Sequence, residues 1–339
     1  MHIVIVGGGE IGFALAQALL IEHQVVVIDN VADVGRRFEP IDVQFVLGTG
    51  TSTEVLSRAG IGQADLLIAC TGLDEVNIVA CGVARHLGTP QTLCFVSAEE
   101  FLTLQHKQGL SLFGIDRIMW PEAQLAEDIE RIIREPGAID AEDFADGSVR
   151  LVEYRLEHGA PLAGRRIADL HLPQGSLVVA VRRGDSFFIP RGDSELVAGD
   201  RPVLMGTPEA LRRLRPQLAE TDEGRRQRVT IIGGGDVGLR VAERLEANGV
   251  FDVTIVERDR GRGELLASRL RHTLILNGDG TDLELLESED ISRSDVLVSV
   301  IDNDERNLFA SLLARQLGVK RIIARVSKRA NLRLFERIG

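Results

Sequence analysis

Two stretches of this chain carry the same signature, 226 residues apart: "IVIVGGGEIG" at 3–12 and "VTIIGGGDVG" at 229–238. Each is a β-branched run followed by G-x-G-x-x-G, with the glycines at Gly7, Gly9, Gly12 and at Gly233, Gly235, Gly238. From Gly48 onward the copies keep a fixed offset of 230, through Gly48/Gly278, Ile61/Ile291, Asp65/Asp295, Asp74/Asp304, Asn77/Asn307 and Gly88/Gly318. Agreement of that kind marks an internal duplication. The chain therefore has to build one unit twice.

Within the first copy, short apolar runs at 3–6, 25–28, 44–47, 66–70, 93–96 and 117–120 alternate with helical patterns at 9–22, 52–59 and 77–87. Near-continuous apolar strands separated by amphipathic helices predict a parallel sheet covered on both faces. Pro121 predicts a helix over 122–134. Pro136–Gly137 and the acidic stretch 140–146 then read as a boundary. Beyond it the rhythm changes to strands at 149–156, 177–182, 187–190 and 201–205 and a short helix at 208–215. Turns are expected at Arg183–Gly184–Asp185, Gly192–Asp193 and Gly199–Asp200. The fold class read from this is α/β: two Rossmann-like parallel-sheet domains, 1–136 and 228–339, separated by a small α+β module at 137–219 and a linker at 220–227.

The glycine spacing has a physical reading. The first glycine permits the tight turn off the strand, the second lets the backbone approach a pyrophosphate, and the third seats the helix on the sheet. Phosphates then meet free N–H groups at the positive end of the helix dipole. In each copy the second strand ends in an acid, Asp29 in "VVVID" and Glu257 in "VTIVE". A carboxylate there accepts both ribose hydroxyls and favours NAD over NADP. Two further stretches fall at the same crevice: "LGTGTS" and "NGDGTD" after the third strand, "CTGLDEVN" and "VIDNDERN" after the fourth. The expected cofactor-binding residues of the first copy are Gly7, Gly8, Gly9, Glu10, Ile11, Gly12, Asp29, Asn30, Thr49, Gly50, Thr51, Thr71 and Gly72. Those of the second are Gly233, Gly235, Asp236, Val237, Gly238, Glu257, Asp279, Gly280 and Thr281. Asp74 and Asn77 suit capping of the following helix, with ligand contact the alternative. The ligand read from these sites is NAD(H), with ATP or ADP the alternative at one or both.

Composition excludes several classes. With 39 Lys and Arg against 51 Asp and Glu the net charge is −12, which argues against nucleic-acid binding, where cations must neutralise phosphates. No apolar run is long enough to span a bilayer, and no charged lead precedes the first strand, so no signal peptide is expected. Cys70, Cys81 and Cys94 have no CxxC spacing and read as core thiols. The seven His form no ligand pair, and no metal site is expected. A dehydrogenase needs a positioned acid or base, yet Tyr154 is the only tyrosine and has no lysine four residues on. The three lysines (Lys107, Lys320, Lys328) lie in no catalytic motif, which leaves His86 and His106 as candidate bases. No catalytic residue is assigned. An NAD-dependent oxidoreductase remains the alternative to a non-enzymatic nucleotide sensor.

"IVIVGGGEIG", "VVVID", "TGLDEVN" with "NDERN", and "VVAVRRGDSFFIPRGDSELVAGDRPVLMGTPEAL" together resemble the regulator of K⁺ conductance (RCK, or KTN) domain family, in the arrangement of the TrkA-type subunits of bacterial Trk potassium uptake. The likeness runs the length of the chain in the order N-subdomain, C-subdomain, N-subdomain. It implies a cytoplasmic regulatory subunit at the inner face of the cell membrane. The implied partners are a TrkH/TrkG-like membrane K⁺ transporter subunit and further copies of the chain, as a tetrameric ring. Contact with the membrane would run through that partner only. It also implies an arginine in the fifth strand beside the nucleotide phosphates. The second copy supplies Arg325 there, whereas the first has Phe95, and Thr49 stands where the second copy has Asp279. The family pattern would continue into a second C-subdomain after 337–339. On that reading the second sheet is expected to lack its last strand, and the second copy to be the less stable or to be covered by a neighbouring subunit.

Overall fold

The run HIVIV forms β1 (His2–Val6), with four of its five residues buried. A strand at the centre of a parallel sheet faces helices on both sides, so every position has to be apolar. The computed structural model bears this out, and it describes all residues except 99–100, 102–106, 136–137, 157–158, 185, 219–224 and 339. Pro136, Gly137, Asp185, His106 and residues 220–224 of the expected linker thus lie outside the described residues. The chain divides into two compact units, Met1–Ala123 and Gln124–Gly339.

In the first unit β1 is followed by α1 (Glu10–Leu19), β2 (Gln24–Asp29), α2 (Ala32–Gly35), β3 (Gln44–Leu47) and α3 (Thr53–Arg58). Then come β4 (Leu66–Ala69), α4 (Asp74–His86), β5 (Gln91–Phe95), α5 (Lys107–Leu112) and β6 (Arg117–Met119). The strands lie parallel in the order β3-β2-β1-β4-β5-β6, the doubly wound arrangement that places ligand crevices at strand carboxyl ends. Side chains alternate between faces. Ile3, Ile5, Val25 and Val27 pack with Ala16 of α1, while Val4, Val6, Val26 and Ile28 pack with Leu56 of α3 and Cys81 of α4. Cys70, Cys81 and Cys94 are buried and unpaired. Burial pushes the Cys70 thiol up to about 12.

The unit boundary falls inside α6 (Pro121–Arg134). The second unit continues with β7 (Ala138–Phe144), β8 (Val149–Tyr154), β9 (Arg165–Arg166), β10 (Ser176–Arg183), β11 (Ser186–Phe188), β12 (Glu195–Leu196), β13 (Arg201–Gly206) and α7 (Pro208–Leu218). Five of these strands form an antiparallel sheet, β11-β10-β13-β8-β7. One row across it, Val178, Leu204, Val152 and Ala141, is buried with Leu211 and Leu214 of α7. The acidic stretch read as a boundary is largely β7. Ala138 and Ala141 point inward, while Asp140, Glu142 and Asp143 are exposed; Arg150 bonds Asp143 at 2.6 Å and the buried Glu135, just before the strand, at 2.5 Å. An edge strand keeps its exposed side charged, and the reading by composition missed that.

The second copy repeats the first: β14 (Gln227–Ile232), α8 (Asp236–Asn248), β15 (Phe251–Glu257), α9 (Arg260–Arg269), β16 (Leu274–Asn277), α10 (Leu283–Ser288), β17 (Val296–Ser299), α11 (Asp304–Gln316), β18 (Arg321–Ala324) and α12 (Leu332–Ile338). Its sheet order is β16-β15-β14-β17-β18, all parallel. Ala126, Ile129 and Ile133 of α6 pack into this copy's core beside Val241 and Leu245. Glu130 accepts from Arg244 and Asn248, both at 2.6 Å. Arg321 donates to the carbonyls of Ile132, Ile133, Glu135 and Ala138 at the end of α6.

Candidate functional site

Each copy has its crevice where β1 or β14 gives way to a glycine turn. Gly7 has φ +109° and Gly233 φ +102°, left-handed values that L-residues rarely adopt. Gly12 and Gly238 are glycine for want of space, because a Cβ there would lie 1.8 and 2.0 Å from the carbonyl oxygens of Gly7 and Gly233. The middle glycine is different. Gly9 and Gly235 have ordinary extended backbone, at φ −65° and −62°, and a Cβ on either would meet nothing within 4 Å. Neither backbone nor packing demands glycine there, yet both copies keep it, with open space beside the strand end. These residues are also the N-caps of α1 and α8, and neither helix start receives a side-chain cap. By contrast Ser52, Asp259, Asp282 and Asn303 cap their helices through side chains. First-turn N–H groups have no intrahelical acceptor, so those of Glu10, Ile11, Asp236 and Val237 suit an external anion. The Val237 side chain is buried in the core while that of Ile11 is exposed.

The acid at the end of the second strand holds the turn. Asp29 accepts from Gly8 N–H at 2.7 Å and Val31 N–H at 2.8 Å, one on each oxygen. Glu257 does the same with Gly234 and Asp259, both at 2.7 Å. A carboxylate offers about four lone-pair positions, which leaves acceptor capacity on both oxygens. Asn30 beside Asp29 is exposed.

The third-strand turns differ. In the first copy the hydroxyls of Thr49 and Thr51 pair at 3.1 Å. In the second, Asp279 accepts from Thr281 N–H at 3.0 Å, Thr281 hydroxyl at 2.7 Å and Arg306 at 2.6 Å. Burial opposes the charge on Asp279, but the Thr281 bonds and Arg306 together hold its carboxyl below the usual range. Gly50 and Gly280 lie on the ends of β1 and β14, where a Cβ would come within 2.1 Å of Val6 or Ile232.

At the fourth-strand turn the hydroxyl of Thr71 lies 2.7 Å from Asn77 Oδ1 and 3.2 Å from the Leu73 carbonyl. Gly72 is open on its Cβ side. Asp74 and Asn77 do not cap α4, whose N-cap is Leu73. Asp74 instead accepts from Ser97 and Ala98 N–H at 2.8–3.0 Å. Asn77 accepts from Thr71 N–H at 2.8 Å and donates to the carbonyls of Thr71 and Phe95 at 3.1 and 3.0 Å. Asp304 and Asn307 repeat this, joining the α11 start to Ser327, Lys328, Ile301 and Arg325. Capping is a bond to one's own helix; these side chains instead tie two strand-end loops together and fix the crevice floor.

Arg37, Arg262 and Arg306 at the crevice escaped the reading of the motifs. Arg37 pairs with Glu10 at 3.1 Å, and Arg262 bonds Asp236 and the Gly234 carbonyl, each at 2.8 Å. Arg306 was visible in "NDERN" against "DEVN", where Val76 stands in its place. Arg325 pairs with Asp302 at 3.2 Å. Tyr154 is buried in the middle module, and no group of three His, Cys, Asp or Glu among the described residues could hold a metal ion.

The TrkA-N domain family matches residues 3–121 and 229–339, and the TrkA-C domain family matches 151–219. A Methanosarcina mazei protein named Trk system potassium uptake protein trkA homolog 1 is 38% identical over 346 residues, covering 100% of this chain and 84% of the relative. The Halomonas elongata Trk system potassium uptake protein TrkA is 35% identical over 342 residues, covering 99% and 74%. Among solved structures, the GsuK RCK domain aligns with a TM-score of 0.74 at 24% identity, covering 100% of this chain and 72% of that one. The GsuK channel bound to NAD gives 0.74 at 24%, with 60% of that chain covered, and GsuK bound to ADP gives 0.63 at 18%, with 64% covered. At those identities the structural likeness is one of fold.

Proposed function

The chain belongs to the TrkA family of Trk-system potassium uptake proteins, and from that premise we propose that its two glycine-turn crevices bind adenine nucleotides, NAD(H) foremost, to control K⁺ flux. Its role in potassium uptake is regulatory rather than catalytic. The observation that carries nucleotide binding is the pair Gly9 and Gly235, glycines that the fold does not require and that open onto an uncapped helix start. Relatives named for potassium uptake and RCK neighbours solved with NAD and with ADP support the reading. No helix among the described residues is long and apolar enough to cross a membrane. In this proposal the ions pass through a partner, a TrkH/TrkG-like membrane K⁺ transporter subunit, against whose cytoplasmic side a ring of these chains docks.

A nucleotide can shift such a ring only by its differential affinity for two arrangements. Moving an equilibrium from 1:99 to 99:1 takes about 5.5 kcal/mol. Two crevices per chain in a tetramer share that load at about 0.7 kcal/mol each, about a threefold affinity difference per crevice. The test is K⁺ flux in vesicles holding the transporter, with the full chain added and NAD⁺, NADH, ATP and ADP compared. Flux should depend on nucleotide, and Gly9→Val with Gly235→Val should abolish the dependence while the chain still docks. Flux indifferent to every nucleotide would overturn the proposal.

A further inference from the structure

The two crevices share their backbone but not their charge. Where the first has Asn30, Val76 and Phe95, the second has Arg258, Arg306 and Arg325. Where the first has Thr49 and Gly72, the second has Asp279 and Asp302. The added groups pair with one another: Arg306 with Asp279 at 2.6 Å, Arg258 with the same carboxylate at 4.0 Å, and Arg325 with Asp302 at 3.2 Å. Three cations against two anions leave the second crevice one positive charge richer than the first, counted over these positions.

These pairs are not needed to close the fold, since the first copy builds the same strands and helices with Thr49 and Val76. Nor do they bring much stability, being partly exposed and, at Asp302, almost fully so. Asp279 is held in place independently by Thr281, so Arg306 can leave it without the turn collapsing. A guanidinium so placed, with a weak anionic partner, is what a phosphate group recruits, through charge-assisted and often bidentate hydrogen bonds.

Resting on the reading above that both crevices take adenine nucleotides, we propose that they are not equivalent. The second crevice takes a nucleoside di- or triphosphate, whose terminal phosphate displaces Asp279 from Arg306 and Asp302 from Arg325. The first, without those guanidiniums, takes the dinucleotide. A terminal phosphate carries close to two negative charges near neutral pH, whereas each bridging phosphate of a dinucleotide carries one. The doubly charged group therefore outcompetes a single carboxylate for Arg306. Asp279 and Asp302 act as internal counter-anions that a ligand with too little charge cannot dislodge.

The experiment is titration calorimetry of the full chain with ADP and, separately, with NAD⁺, at two salt concentrations. The wild type should bind one ADP tightly per chain, and Gly235→Val should remove that binding while Gly9→Val removes tight NAD⁺ binding. Arg306→Leu should weaken ADP about tenfold or more, and Asp279→Asn, which keeps an acceptor for Thr281, should strengthen it about three- to tenfold. Neither should alter NAD⁺ binding at the first crevice. Val76→Arg should raise the number of tight ADP sites from one to two, which keeps the test independent of any folding defect in the second copy. The proposal is overturned if Arg306→Leu and Asp279→Asn leave ADP affinity unchanged, or if Gly9→Val rather than Gly235→Val removes ADP. Failure of both nucleotides to bind the wild-type chain would refute the general reading of the crevices as well. Binding of both with indistinguishable site preference would refute this one alone.

Discussion

Asn77→Ala should cost the first unit about 3 kcal/mol of stability. Asn77 is fully buried, and its amide is bonded on both sides. It accepts from Thr71 N–H at 2.8 Å and donates to the Thr71 and Phe95 carbonyls at 3.1 and 3.0 Å. Alanine leaves one N–H and two carbonyls without those partners. Each orphaned buried group costs about 1–3 kcal/mol. Thr71 and Phe95 are only half-buried, so water can recover part of the loss, and about 1 kcal/mol apiece is the fitting end of the range. The Thr71 hydroxyl keeps the Leu73 carbonyl at 3.2 Å and adds nothing further. For a unit of this size the melting temperature falls about 4 °C per kcal/mol, so the transition of the first unit should drop by about 12 °C. Differential scanning calorimetry of the full chain reads this directly. Asn307→Ala provides the matched perturbation in the second unit. Asn77→Asp separates the hydrogen bonds from the volume, because it keeps the acceptor, loses both donors and buries a charge, and it should be no more stable than Asn77→Ala. A melting temperature for Asn77→Ala within 2 °C of wild type would refute the view that this side chain ties the loops together.

Three further outcomes follow from the geometry. Gly9→Val should cost no more than about 1 kcal/mol, because valine is a poorer N-cap than glycine, while abolishing nucleotide binding at the first crevice. Gly12→Ala, whose Cβ would sit 1.8 Å from a backbone oxygen, should cost more than about 3 kcal/mol; paired unfolding and binding curves check both, and equal stability loss would contradict the assignment. Asp29 places a carboxylate where a 2′-phosphate would sit, so NADH should bind the first crevice more tightly than NADPH, with Asp29→Ala narrowing the gap; tighter NADPH binding to the wild type would exclude this. Burial opposes the charge on Asp304, but N–H groups of Ser327 and Lys328 and the Asn331 amide together hold its carboxyl below the usual range. A depressed folded-state value contributes stability above the unfolded value and loses it as pH falls, so the second unit should weaken below about pH 4. Asp304→Asn should flatten that slope in acid-unfolding curves, and an unchanged slope would show that other carboxylates carry it.

The duplication, the doubly wound sheets and the roles of the first and third glycines were legible in the chain because each is a local pattern. A parallel central strand needs unbroken apolar residues, a turn with positive φ needs Gly7, and a helix seated on that turn needs Gly12. Contacts between segments distant in sequence were not legible, since nothing in a short window encodes them. "TGLDEVN" promised helix caps, but the loop after the fifth strand comes within reach only in the folded sheet, and Asp74 and Asn77 bond to that loop instead. The acidic stretch 140–146 looked like a boundary until pairing with β8 gave it one buried side. Arg321 carried no signal, its counterpart in the first copy being Gln91. It acquires a role only because α6 ends beside it and presents four carbonyls. There burial pulls its pKa down to about 10, still well above neutrality. The unlike charges of the two crevices belong to both levels: their residues can be read from the sequence, but the pairing of Arg306 with Asp279 is set by the tertiary structure. Hydrophobic periodicity and backbone sterics act over a few residues and so appear in sequence, whereas a hydrogen bond or ion pair depends on where the fold delivers its second partner.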